Sequence, residues 1–246
     1  MSHDHFKGKD AITHVAEARA EGIVSANEIH GTEIPGHINS FADSARETVI
    51  AAAGFALLLH TIRLTPTQTI PLLAIFIAGW LLWRLGRSAW LGWSRLERLH
   101  RVLAQEKWEI EHNRQQEREE LGVLYQAKGF EGKLLEDVLD VLMADGDRLL
   151  RVMVEEELGL TLESQVHPLK QGVGAGLGVL TAGAVLLLGL FFFSWIGFTI
   201  AAAGVLIISA WISAKQGDNL PIPAIVWNLG LAVLALGTIY FLLQLL

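Results

Sequence analysis

The chain has 246 residues and is 52% hydrophobic, with a formal net charge of −7 and a mean hydropathy of +0.40. The acidic balance excludes nucleic acid as a partner, because binding it needs a basic surface, and the absence of cysteine excludes disulfides, thiolate metal sites and cysteine nucleophiles. No glycine-rich phosphate loop, nucleophile elbow or convincing catalytic triad occurs, so neither an enzyme nor an organic cofactor is expected.

Residues 1–46 read as a polar N-terminal segment. It opens Met1-Ser2-His3-Asp4-His5 without an apolar run after a basic stretch, unlike a cleavable signal peptide. His30, Glu33 and His37 flank a Pro35-Gly36 turn and form a secondary candidate metal site, with an ordered or interfacial loop as the alternative.

The hydrophobic excess is concentrated in two blocks, near 47–93 and 171–246. A membrane-spanning helix takes roughly 17 to 25 mainly apolar residues, since its backbone must satisfy its own hydrogen bonds. Five stretches qualify: 48–64, 69–90, 173–195, 197–214 and 222–246. The first two are joined by the short turn Thr65-Pro66-Thr67-Gln68 and are expected to form a hairpin. Trp80, Trp83, Trp90 and Trp93 read as an interfacial belt, with Arg84 and Arg87 snorkelling to headgroups. Arg84, Arg87, Arg95, Arg98 and Arg101 cluster where the second span ends, Lys215 follows the fourth, and the turns at 65–68 and near 195 carry no Lys or Arg. The positive-inside rule then puts the N-terminus and residues 94–170 in the cytoplasm and the C-terminus on the opposite side. Gly172, Gly174, Gly176 and Gly178 open the third span at small-xxx-small spacing, which suits either a dimer contact or close packing within one subunit.

Between the blocks, residues 94–127 contain no proline and only Gly122, and read as one long helix continuing the second span. Glu106, Glu109, Glu117 and Glu120 fall within an arc of roughly 80° on its face, whereas Glu111 and Glu119 point elsewhere. The two pairs lie about 16 Å apart along one helix, so a single ion cannot touch both there. Further helices are expected near 134–143 and 148–158, punctuated by Gly129, Gly132 and Gly146. The last carries Met153 and Glu157 on one face. Inward glutamates from packed helices hold iron or manganese in bundle proteins, and carboxylate with thioether suits Fe2+, Mn2+ or Zn2+. The alternative is a solvated helix face balanced by i,i+4 charge partners.

The stretch Glu117-Arg-Glu-Glu-Leu-Gly-Val-Leu-Tyr-Gln-Ala-Lys-Gly-Phe130, followed by Asp147-Arg-Leu-Leu-Arg-Val-Met-Val-Glu-Glu-Glu-Leu-Gly-Leu160, resembles the cytoplasmic domain of the vacuolar iron transporter family. The resemblance implies an all-α membrane protein: five transmembrane helices with a glutamate-rich three-helix cytoplasmic domain inserted between the second and third. It also implies a homodimer that exports Fe2+ or Mn2+ from the cytosol in exchange for protons. Glu106, Glu109, Glu117, Glu120, Met153 and Glu157 match the family's metal ligands, with Val154 where a second methionine is usual. Before residue 95 the likeness fades: Ala53 stands in place of the family's first-span aspartate, and the second span holds no acid or methionine. The competing expectation is therefore a membrane-anchored metal-binding or sensing protein without transport activity.

Overall fold

The computed structural model describes residues 12–13, 36–156 and 167–245. Among these, the regular elements are helices α1 (His37–Thr61), α2 (Pro66–His112), α3 (Arg114–Gln126), α4 (Gly132–Met143), α5 (Gly146–Glu156), α6 (Pro168–Gln216) and α7 (Pro221–Leu243), with no strand. They fall into two compact units, one containing residues 34–93 and 166–246 and the other containing 94–165; α2 contributes to both.

In the first unit α2, α6 and α7 are long and apolar enough to cross a bilayer. Only 6% of the α7 window is buried, and Ile222, Val226, Trp227, Val233, Leu234 and Phe241 stand exposed. Leaving such side chains in water forgoes about 1.5 to 3 kcal/mol each, so this surface requires a non-aqueous surround. α1 is not among the three. Its composition is diluted by Arg46, Glu47 and small residues, and it compensates by being the innermost helix: Ala45, Val49, Ala52, Ala53 and Ala56 sit in one core with Leu73 and Ile77 of α2, Val179, Ala182, Leu186 and Leu190 of α6, and Ala232 of α7.

α1 begins at His37, eleven residues before the expected span, because its early polar side chains face protein. Ser40 and Ser88 hydroxyls lie 2.6 Å apart, and Ser88 donates to the Gln171 carbonyl. Ser40 with Ser88, Ser44 with Arg84 and Phe55 with Phe76 pair in opposite register, so α1 and α2 form the expected antiparallel hairpin. Pro66 starts α2, where the Gln68 side-chain oxygen accepts from the Thr65 backbone N–H and hydroxyl, a capping box that meets an orphan donor.

The glycine stripe packs inside the subunit. A Cβ on Gly174 would collide with the His37 carbonyl and one on Gly178 with that of Phe41, while Gly172 and Gly176 lie against Ala89 and Leu85 of α2. Thus alternate glycines admit two different helices. α6 reverses at Phe193 and Ser194, whose backbone is non-helical, and its two halves approach through Gly189 and Gly197.

In the second unit the expected single helix over 94–127 is broken at Asn113, where φ is −125° and ψ 33°. Asn113 closes α2 through its N–H to Glu109 and opens α3 through its carbonyl, which accepts from Gln116 and Glu117. The second and third helices occur where glycine punctuation placed them. Ile110, Leu121, Leu135, Leu139, Leu149 and Met153 make one core, and Leu99 packs with Val154.

Candidate metal centre

The glutamates occupy this second unit's buried faces. Along α2, Leu99, Glu106 and Ile110 are buried; along α3, Glu117, Glu120, Leu121 and Leu124; along α5, Leu149, Met153 and Val154. Glu106 therefore lies one helical turn before Ile110 and Glu117 one turn before Leu121, and Ile110 and Leu121 share a core with Met153. Glu106 is 5% exposed, Glu117 and Glu120 are 1%, and Met153 is 0%. A solvated-face origin would leave these carboxylates in water, where Glu111 and Glu119 do stand exposed. Burying a carboxylate costs several kcal/mol unless a cation or donors compensate it.

Glu109 is partly buried and accepts from Gln105 at 3.2 Å. Glu117 lies in the first turn of α3, where the helix dipole favours negative charge. The break at Asn113 places Glu106 and Glu109 on a different helix from Glu117 and Glu120, so the one-helix separation of the pairs does not apply. Asp145 fixes the start of α5, its Oδ1 accepting from the Arg148 N–H at 2.8 Å. That hydrogen bond holds the Asp145 carboxyl below its ordinary range.

Some of the unit's other charges make surface ion pairs. Arg118 pairs with Glu136 at 2.7 Å and Asp140 at 2.8 Å, and Lys128 pairs with Glu156. Among the described residues, no group of three or more His, Asp or Glu side chains already encloses an ion position. Glu157, His30 and Glu33 lie outside the described residues. His37 is exposed at the start of α1.

A second polar cluster, not evident from the sequence, lies in the helical bundle of the first unit. Arg84 is 3% exposed and does not snorkel. It pairs with Glu47 at 2.6 Å and donates to Ser44 Oγ at 2.9 and 3.3 Å. Arg46 pairs with Asp43 and reaches Asn228 and Ser213 at 3.4 Å. A cavity of about 530 Å3 opens beside Asp43, Arg46, Glu47, Trp80, Leu206 and Asn228. The available signal was the spacing of Ser40 and Ser44, which continues the buried side of α1 toward its N-terminus.

A family model described as the VIT family matches residues 93–244. No curated protein matches the chain.

Proposed function

The chain belongs to the VIT family, a premise that assigns it to membrane metal-ion transport in general, and we propose that it exports Fe2+ or Mn2+ from the cytosol by exchange for protons. Residues 94–170 are the cytoplasmic capture domain. Its ligand set is Glu106, Glu109, Glu117, Glu120, Met153 and Glu157, drawn from more than one helix. The observation that carries this reading is the burial of three of those carboxylates, together with that of Met153, in one compact unit. Carboxylate oxygens suit hard cations, and a thioether adds preference for the more borderline Fe2+.

The chain crosses the membrane five times: through α1, the first part of α2, the two halves of α6, and α7. The reversal at Ser194 and the antiparallel register of α1 with α2 support that count. The N-terminus and residues 94–170 share the cytoplasmic side, where Arg87 and Arg101 stand exposed, and the C-terminus faces the other way. Two copies assemble as a dimer, through faces other than the glycine stripe.

Reconstitution tests transport. Proteoliposomes with an imposed proton gradient are expected to move Fe2+ or Mn2+ in exchange for protons; no metal flux through correctly inserted protein contradicts it. The second reading, a membrane-anchored metal-binding or sensing protein, is favoured by one observation: each acid on the cavity wall is paired with an arginine. Metal binding without flux would select it.

A further inference from the structure

Ionisable side chains inside a helical bundle mark ion pathways more often than they serve packing. In this bundle the acid is already occupied by a cation. Arg84 reaches from α2 to α1, its Nη1 2.6 Å from Glu47 Oε2, while Nε and Nη2 both donate to Ser44 Oγ. These contacts fix a guanidinium that is 3% exposed, whereas the Glu47 side chain is 44% exposed and lines the cavity of about 530 Å3. Across the same wall Asp43 is held by Arg46, whose other contacts are to Asn228 and Ser213. Among the described residues, two carboxylates therefore face two guanidiniums.

We infer that Arg84 determines whether this cavity accepts a divalent cation: its guanidinium occupies Glu47 as a tethered counter-ion, and the cavity takes a divalent ion once that charge is removed. The local chemistry fits. Removing Arg84 makes the cluster more negative by one charge, and Glu47, Asp43 and the Asn228 amide on the cavity wall supply hard oxygen donors, the set that suits Mn2+. With Arg84 in place an entering divalent ion meets a fixed positive charge in a site of reduced dielectric, where repulsion is several-fold stronger than in bulk water. The site differs from the glutamate centre in unit and in residues; it rests on the divalent-metal reading only for its place in transport.

The test counts Mn2+ bound by the purified full-length protein, using the electron paramagnetic resonance of free ion, in two backgrounds: the parent and a joint Glu106→Ala, Glu109→Ala, Glu117→Ala, Glu120→Ala variant. Arg84→Gln is expected to bind one more Mn2+ per chain than its own background in both, and adding Glu47→Gln is expected to abolish that gain. A folded Arg84→Gln protein with unchanged stoichiometry overturns the inference. Should that variant not fold, Arg84→Met, which keeps the length of the side chain and removes its charge, takes its place. A gained Mn2+ that Glu47→Gln removes supports the inference, and unchanged stoichiometry in the folded protein overturns it. Binding gained by Arg84→Gln where the parent binds none would defeat glutamate capture and leave this inference standing.

Discussion

Replacing Gly174 and Gly178 by alanine tests the packing of the bundle directly. A Cβ on Gly174 would lie 2.9 Å from the His37 Cα, and one on Gly178 3.1 Å from the Phe41 Cα, each nearer still to the carbonyl oxygen. Backbone cannot swing aside as a flexible side chain does, so α1 and α6 must separate by on the order of 1 Å. Overpacking of this kind costs about 1 to 3 kcal/mol per site, against which alanine returns up to about 1 kcal/mol of helix propensity. One displacement relieves both clashes, so the double variant should lose less than the sum of the singles. We expect a net loss of about 2 kcal/mol, or roughly 4 to 8 °C in Tm for a chain of this size. Gly79 and Gly204 have nothing within 4 Å of an added Cβ, and alanine there should be neutral or slightly stabilising. The assay is thermal unfolding in detergent, with oligomeric state followed alongside. A double variant that melts with the Gly79→Ala and Gly204→Ala controls, or that keeps its Tm while losing dimer, would refute close packing of α6 on α1.

Met153→Leu should preserve the core to within about 1.5 kcal/mol, since the swap nearly conserves volume, yet weaken Fe2+ more than Mn2+ because it removes the thioether; paired melting and binding curves check this. Asp145→Ala should lower the melting temperature of the metal-free protein at neutral pH by uncapping α5. The folded carboxyl titrates below its ordinary value of 3.8, so this stabilisation is present above that pH and is lost as pH falls through the lower folded value. Parent and variant melts should accordingly converge in strong acid and stay apart at pH 7. Arg118→Ala should cost no more than about 1 kcal/mol, with the loss shrinking at high salt, because its partners Glu136 and Asp140 are exposed.

The features readable from sequence were those set by local chemistry. A turn near 65–68 was readable, although the helix α2 already begins at Pro66 within it; Gly132 and Gly146 mark α4 and α5, and the apolar run of α7 declares itself by composition. Glu106, Glu117 and Glu120 are buried, but the break at Asn113 removes the single helix on which their common arc rests. What escaped depends on partners distant in the chain. Asn113 is tolerated inside a helix at modest cost, so nothing local announces a break there. A snorkelling arginine and a buried paired one look alike in sequence; Arg84 turns inward because Ser44 and Glu47 await it on α1. For the same reason polar residues 39–47 do not read as part of a buried helix. The glycine spacing announced close approach but not its partners, which proved to be α1 on one side and α2 on the other.

The central claim, that buried glutamates of residues 94–170 capture divalent metal, is tested most directly by calorimetric titration of Mn2+ into the full-length protein. The protein should bind Mn2+ with a defined stoichiometry, and joint replacement of Glu106, Glu109, Glu117 and Glu120 by alanine should abolish that heat while the variant remains folded. Unchanged affinity in the quadruple variant would contradict the account.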